Sequence, residues 1–352
     1  MSSETMQALI QTAYGEPSQV LKIITVPIPP FDESSSQLLL RVRAVSINPL
    51  DCMVVRGKLK IVWTDTMPAP MGYDVSGVVV KAGKGTGFKE GDAVYGLLNI
   101  RARGSIAEYC TVLAQNCALK PESLTHEEAS CLPMVGTTAI QAFQRHSGPK
   151  ETAFIPAGMG GVGSIMLQLA KPYAGFKRTI TTASTAKVEL VKQHIRDVDE
   201  VIDYKKTDQA TAIPAHSCDF VLDQFGKPAQ YVRYMRKPAP GSTGGKPSII
   251  SILHPPSAEK AQIGWETQVG FPLRVALNTM DWWTRIWIPA WIHYQGFAVL
   301  PSADDLKILS DLVVQGKLKP VIVQVFRLDQ ALEAITLAET KPAGKVVISI
   351  GD

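Results

Sequence analysis

Ala153-Phe154-Ile155-Pro156-Ala157-Gly158-Met159-Gly160-Gly161-Val162-Gly163 is the stretch on which the fold turns. A short apolar run reads as a buried strand. A G-x-G-x-x-G string follows, and Ser164–Ala170 continues as an apolar helix. Glycine-rich turns are common, but one placed between a strand and a helix has a specific use. The first glycine permits a tight turn, the second lets backbone approach a pyrophosphate, and the last lets helix and sheet pack closely. The unpaired N–H groups of the helix start then face the phosphate charge. Gly158, Gly160, Gly161, Val162 and Gly163 are therefore expected to contact a dinucleotide.

Working outward, the pattern downstream repeats strand and helix. Arg178–Thr182, Glu200–Asp203, Asp219–Leu222 and Ser248–Leu253 read as strands, Lys187–Ile195 as a helix, and Gly296–Leu300 as the last strand of the series. Such alternation predicts a doubly wound parallel sheet with helices on both faces. Upstream the chain is different. Gln37–Ile47, Asp74–Lys81, Ala93–Tyr95 and Glu108–Val112 are short strands punctuated by Pro and Gly, the signature of a small barrel or sandwich. Near the end, Asp304–Gln315 and Asp329–Glu339 read as helices, and Pro320–Phe326 and Gly344–Ile350 as strands.

The second strand of the alternating region identifies the dinucleotide. An NAD site carries an acid there, about 20 residues past the glycines, to bind the ribose hydroxyls. Here the strand ends Thr181-Thr182-Ala183-Ser184, without a carboxylate. No acid repels a 2′-phosphate, and Ser184, Lys187 and Tyr204 can donate to one. NADPH is the expected cofactor. Phe225 and Leu253, following the next two strands, are expected to complete its site.

The totals bound the rest. At 352 residues the chain holds two domains, and 45% hydrophobic with 19% charged residues excludes a disordered protein. A net charge of +4, spread without a basic block, excludes nucleic acid as the partner. Five cysteines with no C-x-x-C pair give neither a disulfide framework nor a cysteine-rich zinc lobe. Together with a short polar start at Met1–Gln7 and no run long enough to span a membrane, they lead to the expectation of a cytoplasmic protein.

Short motifs along the chain extend the reading. They include Tyr14-Gly15-Glu16-Pro17, Val45-Ser46-Ile47-Asn48-Pro49-Leu50-Asp51, Gly72-Tyr73-Asp74-Val75-Ser76-Gly77 and Phe88-Lys89-Glu90-Gly91-Asp92. Gly104–Tyr109, Leu132–Ala139, Val201–Tyr204 and Gly344–Ile348 continue the series. In this order, nearly end to end, they resemble the medium-chain dehydrogenase/reductases, and among them the zinc-independent quinone oxidoreductases and enoyl reductases. The resemblance implies an α/β protein: a GroES-like β-barrel catalytic domain over 1–127 and 301–352, and a Rossmann NADPH-binding domain over 128–300, with the active site in the cleft between them. It places Asn48 and Thr138 near the nicotinamide. The positions that hold catalytic zinc in metal-dependent relatives are Asn48, Tyr73 and Met134 here, a poor donor set for a tetrahedral N/S site. No metal is expected.

The implied reaction is hydride transfer from NADPH to an activated C=C (an enone or enoyl group) or to a quinone, without zinc. Two rivals remain at this point: a carbonyl or alcohol dehydrogenase, and an NADPH-binding protein that is not an enzyme. Relatives often carry a Tyr or Lys soon after Asn-Pro-x-Asp, where this chain has Cys52-Met53-Val54-Val55. Candidate proton donors are therefore Tyr73, Lys58, Lys60 and solvent, with Asn48 and Tyr73 the central catalytic candidates. Asp51 reads as a structural carboxylate.

Gly264–Tyr294 stands apart, with Trp265, Trp282, Trp283, Trp287 and Trp291, five of the six tryptophans. Trp283, Trp287 and Trp291 are four apart and would share one face of a helix. Four uses compete: a lid in which Trp283 and Trp287 contact a lipophilic small-molecule substrate, a homodimer contact, a patch resting on a membrane surface, or plain packing on its own domain. Asp281, Arg285 and Pro289 exclude a membrane span.

Overall fold

The computed structural model describes residues 4–60, 62–241, 244–253, 257–264 and 268–351. They divide into two compact units, 1–137 with 300–352, and 138–299.

The first unit opens with strand β1 (Thr5–Gln11), the single turn α1 (Pro17–Val20) and β2 (Leu21–Pro27). Then come β3 (Gln37–Ile47), α2 (Pro49–Val55), β4 (Ala69–Pro70), β5 (Asp74–Ala82), β6 (Ala93–Leu97), β7 (Tyr109–Leu113) and β8 (Cys117–Leu119). Two helices, α3 (His126–Ser130) and α4 (Pro133–Gln144), lead out of it. Asn48 caps α2 in a reciprocal box with Asp51, and Pro49 supplies a first turn that needs no N–H donor.

In the second unit the order is β9 (Thr152–Ile155), α5 (Gly161–Ala170), β10 (Arg178–Ala183), α6 (Thr185–His194), β11 (Glu200–Asp203), α7 (Gln209–Ala212), β12 (Phe220–Asp223) and β13 (Ser248–Ser251). Helices α8 (Ala258–Gly264) and α9 (Phe271–Ile286) precede β14 (His293–Gly296). The six strands form one parallel sheet in the order β11-β10-β9-β12-β13-β14. Strand order reverses beside β9, the point where doubly wound sheets bind ligands at their carboxyl ends. Phe154, Ile180, Val221 and Ile249, one from each of four neighbouring strands, are fully buried in its core.

The chain returns to the first unit through α10 (Ala303–Val314), β15 (Ile322–Arg327), α11 (Ala331–Glu339) and β16 (Lys345–Ser349). A seven-stranded sheet runs β15-β16-β3-β5-β6-β8, with β7 also on β3, and β2-β1-β4 form a second sheet. Leu38, Leu40, Val75, Val94 and Ile348 pack between them with no exposed surface.

Two expectations are corrected. The last strand of the parallel sheet is not Gly296–Leu300 but His293–Gly296, because β13 pairs residue for residue from Ser248↔His293 to Ser251↔Gly296 and the edge is then used up. The tryptophans four apart do not share one helix. Helix α9 stops at Ile286 with Trp287 as its cap, and Pro289 prevents continuation. Trp291 instead packs against the core beside Ile288 and Ile292. Trp265 lies outside the described residues.

Candidate functional site

The glycine turn does what its spacing demands. Ala157 N–H donates to Thr182 Oγ1 (3.2 Å), Gly158 N–H to the Thr182 carbonyl (3.1 Å), and Gly160 N–H to the Ala157 carbonyl (2.8 Å). Ala157 is held at φ 53°, a conformation unfavourable for a residue with a β-carbon, so neighbouring bonds hold the turn in shape. The glycines differ in role. A β-carbon on Gly158 would stand 2.5 Å from Thr181 Oγ1, and one on Gly163 would stand 2.3 Å from the Ala157 carbonyl oxygen. Those two let strand and helix close on each other. A β-carbon on Gly160 meets only the Ala157 oxygen, at 3.2 Å, and otherwise open space. Gly160 is the cap of α5, whose first-turn N–H groups have no intrahelical acceptors. This is a cradle of backbone donors that an anion fits.

The other expected cofactor residues gather at the same carboxyl edge of the sheet. Ser184 caps α6 without its hydroxyl bonding the helix, and Lys187 follows in the first turn, its ammonium held below the ordinary lysine value by burial. Tyr204 follows β11, Phe225 follows β12 and Leu253 follows β13, each about half exposed at 51%, 51% and 52%. Phe225 is positioned by buried Asp223, whose Oδ1 accepts the N–H groups of Phe225 (3.0 Å) and Lys227 (3.2 Å) and whose Oδ2 accepts Ser251 Oγ (2.7 Å). Large apolar side chains left open past the carboxyl ends of β11, β12 and β13 suit the flat faces of a dinucleotide. Thr138 is buried on α4.

In the first unit, Asn48 belongs to a buried polar hub. Asp74, at the start of β5 with no exposed surface, accepts Ser46 Oγ (2.6 Å) and Asn48 Nδ2 (2.8 Å) on Oδ2, and Met134 N–H (2.8 Å) on Oδ1. Lys345 Nζ donates to Asn48 Oδ1 (2.6 Å) and the Ile47 carbonyl (3.2 Å), and stands 3.5 Å from Asp74. Both ends of the Asn48 amide are therefore engaged. Sequence reading missed Lys345. Its partner is set by the pairing of β16 with β3, which puts Val346 opposite Ile47. The Gly344–Ile348 motif was visible, but not what it faces.

Asp51 Oδ2 accepts the Asn48 N–H (2.8 Å), while its Oδ1 is buried with no hydrogen-bond partner among the described residues. Burial pushes this carboxyl up to about 7. The Tyr73 hydroxyl is also buried with no hydrogen-bond partner among the described residues, and burial raises it well above the ordinary phenol value. Lys58 is exposed just after α2, so of the catalytic candidates only Asn48 sits in the hub. Trp283 and Trp287 are 58% and 61% exposed on α9 and its cap.

Among the described residues no three His, Cys, Asp or Glu side chains come together to hold an ion. Asp74 has both oxygens engaged, and the Cys131 thiol donates to the Glu127 carbonyl (3.2 Å). Asn48, Tyr73 and Met134 do not make a tetrahedral N/S set.

Residues 34–122 match the family model of the alcohol dehydrogenase GroES-like domain, and 196–348 that of the zinc-binding dehydrogenases. The chain is 32% identical over 356 aligned residues to the 2-methylene-furan-3-one reductase of Solanum lycopersicum, covering 97% of this chain and 79% of that one. The identity and both coverages are the same for the chloroplastic NADPH-dependent alkenal/one oxidoreductase of Arabidopsis thaliana. Among solved structures, the quinone oxidoreductase from Coxiella burnetii superposes with a TM-score of 0.77 at 27% identity, over 99% of this chain and 100% of that one. The expectation of a cytoplasmic protein is corrected by the Arabidopsis relative and by further relatives that are chloroplastic or mitochondrial. It rested on unpaired thiols, a short polar start and the lack of a membrane-length run, none of which is peculiar to the cytosol.

Proposed function

Because the chain belongs to the medium-chain dehydrogenase/reductases, in the branch of the quinone and alkenal oxidoreductases, we propose that it is an NADPH-dependent reductase of activated C=C bonds or quinones that works without zinc. The observation that carries the reading is the carboxyl edge of the parallel sheet. There the open cradle at Gly160 lies beside an acid-free end of β10. Bound NADPH supplies the hydride.

The chain's own residues bind, orient and exclude water. The N-terminus of α5 holds the pyrophosphate, Ser184, Lys187 and Tyr204 meet the 2′-phosphate, and Phe225 and Leu253 flank the rings. Asn48, locked by Lys345 and Asp74, positions rather than reacts, since neither end of its amide is at liberty. The proton that completes reduction is assigned to solvent. Tyr73 is buried and holds its proton more tightly than an ordinary phenol, and Lys58 stands in water.

Asn48, Tyr73 and Met134 are a poor donor set for the metal that would stabilise an alkoxide, whereas hydride addition to a polarised C=C or a quinone needs no metal. The test is steady-state oxidation of NADPH and NADH against a panel of enals, enones, quinones, aldehydes and alcohols, before and after a strong chelator. The expected result is turnover of enones, enals or quinones with NADPH, unchanged by chelation. Turnover confined to alcohols and aldehydes, lost on chelation and restored by zinc, would overturn the reading.

A further inference from the structure

Helix α9 presents a large apolar surface to solvent. At roughly 100° per residue, Phe271, Val275, Trp282, Trp283, Ile286 and the cap Trp287 fall within one half of the helix circumference. All six are exposed, Phe271 at 78% and the three indoles at about 60%. That half carries no charged side chain. The helix is anchored from its other side, where Leu277 and Leu273 pack on Ala258, Ala261 and Val269. The exposed side chains together exceed the patch that a typical monomer leaves in water, a few hundred Å².

The borders of the face identify what covers it. Arg274 and Arg285 lie along the edge next to Phe271, and both are exposed. The one acid of the helix, Asp281, is mostly buried and tied to Arg285 at 2.8 Å. An apolar stripe edged by cations complements anionic headgroups lying above acyl chains. Indole suits the same depth, because its ring is apolar and its N–H seeks a polar partner. The three rings are tilted against one another, Trp282 to Trp283 by 53° and Trp283 to Trp287 by 69°, which makes a ridge rather than a flat contact plate. Among the described residues no helix is long and apolar enough to cross a membrane, and α9, with 16 residues, is about 24 Å long, so it lies in the surface plane.

We propose that α9 docks this protein on an anionic lipid bilayer, with Phe271, Trp282, Trp283, Ile286 and Trp287 among the headgroups and Arg274 and Arg285 on lipid phosphates. The inference stands apart from the hydride chemistry, although a bilayer is also where a lipophilic quinone or enal concentrates.

The experiment is flotation of the full chain with large vesicles of phosphatidylcholine, with and without one part in four of phosphatidylglycerol. The wild-type chain is expected to float with the anionic vesicles, and its tryptophan emission to shift to the blue. A Phe271→Ser/Trp282→Ser/Ile286→Ser variant should bind them on the order of 100-fold more weakly. An Arg274→Gln variant should bind about fivefold more weakly and with less salt dependence; Arg285 is left in place because it holds Asp281. Unchanged thermal melting and NADPH affinity show that each variant is folded. If the wild-type chain stays unbound, or the triple variant floats equally well, the proposal fails. It fails equally if sedimentation shows a dimer that the triple variant breaks while the wild type ignores vesicles, since the face is then a contact between copies.

Discussion

Gly160→Ala separates a glycine kept for a ligand from one kept for the fold. Gly160 lies at φ −73°, ψ 164°, which any residue adopts, and the new methyl would meet only the Ala157 oxygen at 3.2 Å. A shift of a few tenths of an ångström relieves that contact. Reduced freedom of the unfolded chain adds about 0.4–1 kcal/mol of stability, so the melting temperature should barely move. The methyl does, however, project where backbone donors meet the pyrophosphate. Losing one charge-assisted hydrogen bond costs about 1.5–3 kcal/mol, or about 10- to 150-fold in affinity. Gly163→Ala is the control. Its methyl would stand 2.3 Å from the Ala157 oxygen and 3.0 Å from the carbonyl carbon, both backbone atoms that cannot step aside. It should cost about 1–3 kcal/mol or more and lower the melting temperature by several degrees. Titration with NADPH and thermal melting on both variants decide the matter. A Gly160→Ala chain that binds NADPH as tightly as the wild type refutes the placement of the phosphate at this helix.

The remaining predictions concern the 2′-phosphate contact and the hub. Ser184→Asp puts an acid at the end of β10, and the ratio of NADPH to NADH affinity should fall by about 30- to 1000-fold; an unchanged ratio in paired titrations removes Ser184 from the site. Burial raises Asp51 to about 7 from an unfolded value of 3.8, so the folded chain holds this proton more tightly. The stability it contributes is fully present below about pH 4 and lost as pH climbs through 7, a change on the order of 4 kcal/mol. Relative to wild type, Asp51→Asn should therefore look more stable at pH 8 than at pH 5 in denaturant melts, and a constant difference would contradict the assignment. Lys345→Met leaves the Asp74 carboxylate buried without its cation and should cost about 3–5 kcal/mol; adding Asp74→Asn should recover part of it, and strict additivity of the two losses would dissolve the hub as a unit.

How much was legible depended on how local the signal was. Five of the six strands of the parallel sheet were placed from their own local sequence, all but β14 (His293–Gly296), and the turn from Ala157 to Gly163 carries its function in adjacent residues. The carboxylate missing after Thr182 is likewise a local fact. The hub was not legible, because Lys345 and Asn48 lie 297 positions apart and meet only through the register of β16 on β3. The motifs around each were quoted without showing that one holds the other. The tryptophan spacing misled because periodicity counts residues and ignores what ends a helix: Pro289 stops the pattern before Trp291, which turns into the core. The strand placed at Gly296–Leu300 failed for a related reason, since its apolar residues fit a strand but the edge of β13 was already filled by His293–Gly296.

The central claim is that the chain moves a hydride from NADPH to the electron-poor carbon of an activated C=C bond or to a quinone. The most direct measurement uses NADPH deuterated at the transferring position of the nicotinamide, an α,β-unsaturated ketone as acceptor, and mass and NMR analysis of the product. The account predicts a saturated ketone with one deuterium on the β-carbon and a solvent-derived proton on the α-carbon. Deuterium on the carbonyl carbon of an alcohol product, or bound NADPH that no enone, enal or quinone oxidises, would contradict it.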